Sequence, residues 1–218
     1  MKSRQSIESI SLSHHPSLIP HVMRPTARIL AYRNGSAIVA LAESFLPHFP
    51  ELARIDFELD VLPSSSWFLG ITDHGPPVPR VRLRPARPTN PTLTSTIAHE
   101  FTHLLQIPLR LVPQGERSCD LYALARAGER FLSPPGYMRL PRIARDAWTE
   151  WSDVAADLAK QALERRTAGE RRYIAWWEAE MRAQCRGRES NPLKTDLQSV
   201  TLAALSPRRN VAHPVEGN

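Results

Sequence analysis

Ile97-Ala98-His99-Glu100-Phe101-Thr102-His103-Leu104-Leu105 is the stretch on which the reading of this chain turns. Leu93, Ile97, Phe101, Leu104 and Leu105 recur at helical spacing, so the segment reads as an amphipathic helix. Asn90 followed by Pro91 is a start signal, a capping side chain ahead of a proline at the first helical position. Pro108 ends the pattern near Gln106. His99 and His103 stand four apart, on one face and away from the apolar stripe. Glu100 is turned about 100° from His99 around the axis. A buried helix with a purely structural role has no use for two imidazoles on its second face. Two histidines at this spacing can grip one zinc ion, with the intervening glutamate in reach of a water on the metal. The bland alternative is a surface helix with two exposed histidines.

A catalytic zinc takes three protein ligands and leaves one position open. Beyond His103 the sequence offers one further histidine, His213, in a polar tail, and the extension HExxHxxGxxH fails because Gln106 stands where its glycine belongs. The third ligand is therefore expected from Pro113 to Arg126, which reads as a helix beginning just after Gly115 and carries Glu116 and Asp120. Two acids four apart on a helix repel each other, a cost that a nearby cation would offset. They share a face with Ala123 and Ala127, small residues that let two helices approach closely. Without a metal, Glu116 is an acid favoured by the helix N-terminal dipole, and Asp120 a salt-bridge partner of Arg117.

His99-Glu100-x-x-His103 followed by Glu116-x-x-x-Asp120 resembles the gluzincin arrangement of thermolysin-like peptidases. Glu116 to Ala125 is also similar to the third-ligand helix of short prokaryotic zinc peptidases, including the repressor-cleaving type. The resemblance covers about residues 91 to 127 and departs from thermolysin in the short interval Leu104 to Gly115. It implies zinc held by His99, His103 and Glu116, Asp120 orienting His99, and Glu100 as general base. Asp120 as the ligand in the aspzincin manner stays open beside it. The implied chemistry is peptide hydrolysis: zinc lowers the pKa of its water toward about 7, and Glu100 takes that proton and passes it to the leaving amine. The oxyanion needs a donor as well, for which Tyr137, Tyr122, His74 and Tyr173 are candidates.

At 218 residues and 42% hydrophobic content, the chain suits one domain with tails. No run reaches the ~18 apolar residues that cross a membrane, and Met1 to Ser17 has no signal-peptide core. Cys119 and Cys185 make neither a disulfide framework nor a CxxC clip, so a reducing, cytoplasmic location is expected, with Cys119 a small buried filler. The net charge is +6 and the pI about 9.9. Arginines cluster at Arg80, Arg82, Arg84 and Arg87, at Arg139, Arg142 and Arg145, and at Arg165, Arg166, Arg171 and Arg172. Such clusters suit nucleic acid or an acidic partner, although a charge run is more often a solvated face.

The expected architecture is α+β, in four parts: a weakly ordered segment 1–26, a zincin-like domain 27–132, a C-terminal helical hairpin 133–186 packed on it, and a polar tail 187–218 with a short helix at Leu202 to Leu205. The zincin-like domain reads as a helix capped by Ser36, three strands, the HExxH helix and the ligand helix. The strands are Ile55 to Val61, Trp67 to Ile71, and Arg80 to Arg84, the last flanked by Pro79 and Pro85. Proline at both ends suits an edge strand, and Val81 to Arg84 is the candidate edge for holding an extended peptide. Ile143 to Leu163 and Tyr173 to Met181 carry the hairpin, broken at Gly169, with Trp148, Trp151, Trp176 and Trp177 in its core.

The leading expectation is a zinc metallopeptidase acting on a protein or peptide. A SprT-like DNA-associated protease is the alternative suggested by the basic charge, although such proteins usually take a third histidine. A zinc-binding regulatory protein without turnover is a further alternative.

Overall fold

The computed structural model describes residues 23–85 and 87–189. His213, the tail beyond 189 including the short helix expected at Leu202 to Leu205, and most of the segment expected to be weakly ordered lie outside the described residues. The chain is α+β: a small mixed sheet with α-helices before and after it. Among the described residues no helix is long and apolar enough to cross a membrane.

The strands are β1 (Met23–Pro25), β2 (Phe57–Val61), β3 (Gly70–Asp73) and β4 (Arg80–Leu83), in the order β1-β2-β4-β3. β1 runs parallel to β2, β2 parallel to β4, and β3 antiparallel to β4. Two expectations are corrected here. Residues 23–25, assigned to the weakly ordered segment, form a strand with Met23 buried, because the Thr26 and Arg28 side chains behind it anchor on Asp60 of β2. Arg80 to Leu83 is an interior strand, not an edge. Pro79 and Pro85 flank it rather than sit in it, so no ladder donor is lost, and its charges are cross-strand partners, Arg80 with Glu58 on β2 and Arg82 with Asp73 on β3. The second strand is also displaced: β3 begins at Gly70, and Trp67 to Leu69 are exposed beside it.

Before β2 come α1 (Ala27–Leu30) and α2 (Gly35–Glu43). α2 starts after Asn34 rather than Ser36, with no side-chain cap bond. After β4 the chain enters α3 (Pro91–Gln106), where Asn90 Oδ1 accepts the Thr92 N–H and Pro91 fills the first position. α4 (Glu116–Ala127) follows. Then come a short α5 (Arg142–Asp146), α6 (Trp148–Thr167) and α7 (Tyr173–Glu189). α3 lies against the sheet and β3, α4 packs on α3, α6 on α4, and α7 on α6. Phe101 sits between Phe49 and Phe57 in edge-to-face contacts at 5.7 and 5.5 Å, which pins α3 to the sheet. In the C-terminal helices Trp148, Trp151 and Trp177 are buried, and the indole N–H groups of Trp148 and Trp177 donate to the carbonyls of Phe131 and Ala155. Trp176 is only partly buried, under the Arg165 guanidinium.

Candidate metal centre

Packing of α4 on α3 brings the acids of one helix to the imidazoles of the other. Glu116 Oε2 lies 2.9 Å from His99 Nε2 and 3.4 Å from His103 Nε2. The opposite ring nitrogens are taken: His99 Nδ1 is 2.7 Å from Asp120 Oδ1, and His103 Nδ1 is 2.9 Å from Gln106 Oε1. Asp120 is held in turn by the Tyr137 N–H, which donates to its Oδ2 at 2.5 Å. Of the two acids, Glu116 faces both Nε2 atoms, and Asp120 sits behind His99. Arg117, the imagined partner of Asp120, pairs with Glu178 instead.

These distances suit a metal. Three donors about 2.0–2.1 Å from one tetrahedral ion stand roughly 3.3 Å from one another, close to the two Glu116 separations. The ring tautomers suit it too, since a metal needs a bare lone pair on Nε2, and an acceptor at each Nδ1 draws the proton there. A proton shared between His99 and Glu116 would satisfy the same pair. Burial alone would lower the His99 pKa, but the hydrogen bond to Asp120 and the charges of Asp120, Glu100 and Glu116 outweigh it, and the net shift is upward.

Cys119 offers another third donor. His99, His103 and Cys119 present ligand atoms within 4.8 Å of one another and could hold a metal ion. Its sulfur is 3.3 Å from His103 Nδ1, however, on the edge of that ring turned from Glu116. Burial pushes the Cys119 thiol pKa well up, and the negative charges of Glu116, Glu100 and Asp120 push it further. A bound metal would itself favour the thiolate, so the choice rests on position: Glu116 faces both Nε2 atoms, whereas Cys119 lies at the Nδ1 edge of His103.

Glu100 is buried, and burial raises its pKa above the usual carboxylate range, against the pull of both histidines and Thr72. Thr72 Oγ1 on β3 lies 2.7 Å from Glu100 Oε2 and 3.0 Å from the Glu100 carbonyl oxygen. Gly70, on the same face of β3, lets the strand press against the acid: a Cβ there would fall 2.6 Å from Glu100 Oε1. Beside this wall a cleft of about 440 Å³ runs from His99 and Glu100 past Tyr137 and Pro134 to Trp67, Phe68 and Leu69. The Trp67 indole, at its rim, is 94% exposed.

Of the four proposed oxyanion donors, two are elsewhere. The Tyr122 hydroxyl accepts from Arg166 and the Tyr173 hydroxyl faces Ser118, both on the α6–α7 side. Tyr137 stacks on His99 with ring centroids 5.4 Å apart. His74 follows β3 and has a buried Nδ1 without a protein partner; burial, and then the charge of His103, lowers its pKa.

Thr72, Gly70 and Gln106 were not singled out from sequence. For Gln106 there was a signal, a polar side chain three residues past His103 on the same helix. For Thr72 and Gly70 there was none, since their approach to Glu100 is tertiary. No family model, no curated protein and no solved structure matches this chain.

Proposed function

We propose that this protein is a zinc-dependent metallopeptidase with a zincin-like core of the gluzincin type. His99, His103 and Glu116 would hold the ion, and Asp120 would orient His99. The observation that carries the reading is the meeting of Glu116 Oε2 with both Nε2 atoms while both Nδ1 atoms face other acceptors. Zinc bound there supplies a Lewis acid and an acidified water. Glu100 is the general base, a buried carboxylate next to both histidines and held by Thr72. It takes the proton of the attacking water and delivers it to the leaving amine. Thr72 keeps one carboxylate oxygen in place during that exchange.

The cleft and the strand beside it support a polypeptide substrate. β3 pairs only with β4 among the described strands, so its other edge can take an extended chain. Trp67, Phe68 and Leu69 would meet a bulky apolar side chain. Of the candidate electrophilic donors, Tyr137 lines the cleft beside His99, whereas the unpaired Nδ1 of His74 is buried. A reducing, cytoplasmic setting goes with this reading.

The test is zinc content by mass spectrometry together with turnover of a peptide library. Wild type should carry about one zinc, as one three-ligand site requires, and His103→Ala should carry none. Glu100→Gln should keep zinc and lose about 10²–10⁴-fold in rate. A zinc-free wild type, or zinc retained by His103→Ala, ends the proposal. Cys119 gives a second ligand set, and metal lost from Cys119→Ser but kept by Glu116→Ala would favour it. Zinc bound with no turnover of any peptide points to the regulatory alternative, and turnover that requires DNA to the DNA-associated one.

A further inference from the structure

Gln106 closes α3 with a side chain that is only 3% exposed. A buried amide must find partners for both its oxygen and its nitrogen. Gln106 Nε2 lies 2.5 Å from the Pro113 carbonyl oxygen and 3.1 Å from the Gly115 carbonyl oxygen. Carbonyls only accept, so the NH₂ group must be on that side. Oε1 is then forced toward His103, 2.9 Å from Nδ1. An amide oxygen cannot donate, so Nδ1 of His103 carries a proton, and in the neutral ring the Nε2 lone pair then faces Glu116. The Cys119 sulfur, 3.3 Å from the same Nδ1, is only a weak donor or acceptor, so the amide oxygen at 2.9 Å decides the tautomer.

The other half of the amide acts on α4. Pro113 and Gly115 lead directly into Glu116, and Gly115 turns the chain at a φ of 107°. The Gly115 carbonyl oxygen also accepts the N–H groups of Ser118 and Cys119 in the first turn of α4. One side chain therefore grips His103 on one helix and the start of the helix that carries Glu116.

We propose that Gln106 is a positioning residue of the metal centre: it sets the tautomer of His103 and holds the loop that places Glu116. This rests on the metal reading above. The two histidines are then held by unlike partners, a carboxylate on α4 for His99 and a neutral amide on α3 itself for His103.

Gln106→Leu removes the acceptor and both donors at similar volume. Two measurements on the full chain test it. Competition with a chromophoric chelator should show zinc binding about 10–100-fold weaker than wild type, the usual effect of losing such a partner, with a changed cobalt(II) absorption spectrum. Nitrogen-15 NMR of the metal-free protein should find His103 protonated on Nδ1 in wild type and as mixed tautomers in the variant. Leu105→Ala, a buried change one residue away, serves as a comparator that lowers stability without the cobalt shift. Gln106→Met repeats the test if Gln106→Leu does not fold. The proposal is overturned if wild-type His103 carries its proton on Nε2, or if zinc affinity and cobalt spectrum survive the loss of Gln106. A wild type that binds no zinc fails the metal reading and takes the positioning role with it, whereas normal wild-type binding with an unaffected variant fails the positioning role alone.

Discussion

At the scale of single residues, an acid's distance along a helix does not say which nitrogen it meets. Glu116 and Asp120 are four apart on α4, yet one faces the Nε2 edge of the His99 ring and the other the Nδ1 edge. In the proposed enzyme their losses should differ. Glu116→Ala removes a ligand, while Asp120→Ala removes a partner of a ligand and should weaken zinc by about 10–100-fold. Isothermal titration with zinc checks the order, and the reverse order would exchange the roles. Gly70 gives a second prediction at this scale. Gly70→Ala should displace the Glu100 carboxylate, cost about 1–3 kcal/mol through overpacking, and slow hydrolysis while leaving zinc bound; kinetics and zinc content on one preparation separate these. Both histidines, Glu100 and the two acids of α4 were legible as candidates because each is a residue type at a fixed spacing in one segment. Thr72 and Gly70 were not legible, because they come from a strand about 30 residues upstream and reach Glu100 only through folding.

At the scale of elements, α3 serves the core and the site at once. Phe101, between Phe49 and Phe57, faces the sheet, while His99 and His103 face α4. Phe101→Ala should cost about 3–5 kcal/mol and lower Tm on the order of 10 °C, as scanning calorimetry would record. The arm before β3 is the contrasting case: Trp67 and Phe68 are exposed and add little to the core. Changing both to Ala should leave Tm and zinc content near wild type and raise KM for peptides with bulky apolar residues near the cleaved bond; an unchanged KM would remove them from substrate binding. The bounds of α3 and the start of α4 were read well because their signals are local, whereas the start of α2 and the break at Ala147 between α5 and α6 were not. Asn90, Pro91 and Gly115 act within one turn of the ends they set. Strand placement was read less well. The alternation in Arg80 to Leu83 identifies a strand, but whether it lies inside the sheet depends on β2 and β3, which are distant in sequence.

At the scale of the whole molecule, ion pairs tie the layers together. Asp60 on β2 is buried, which by itself raises its pKa, but Arg28, Thr26 and the Val61 N–H together hold it below the usual range. Arg126 of α4 holds Glu51 down in the same way. Both carboxyls bind protons more weakly when folded than when unfolded. Their stabilisation is therefore complete at neutral pH and is lost as pH falls below about 4. Melting temperatures between pH 7 and pH 3 should drop at the acid end, and Asp60→Asn should flatten that drop. Glu178 on α7 joins Arg117 of α4 and accepts the Arg139 N–H. Many arginines thus have structural work inside the fold, which a reading of net charge alone does not reveal. By itself the sequence determined the two helices of the site, the Asn90 cap, and the residue types able to bind a metal and move a proton, because these depend on neighbours a few positions away. Only the tertiary structure decided the strand order, which acid meets the paired imidazoles, which Thr and Gly abut Glu100, and the Gln106 link between two helices. Those depend on how the elements pack, and packing is set by the sum of many weak contacts between segments distant in the chain.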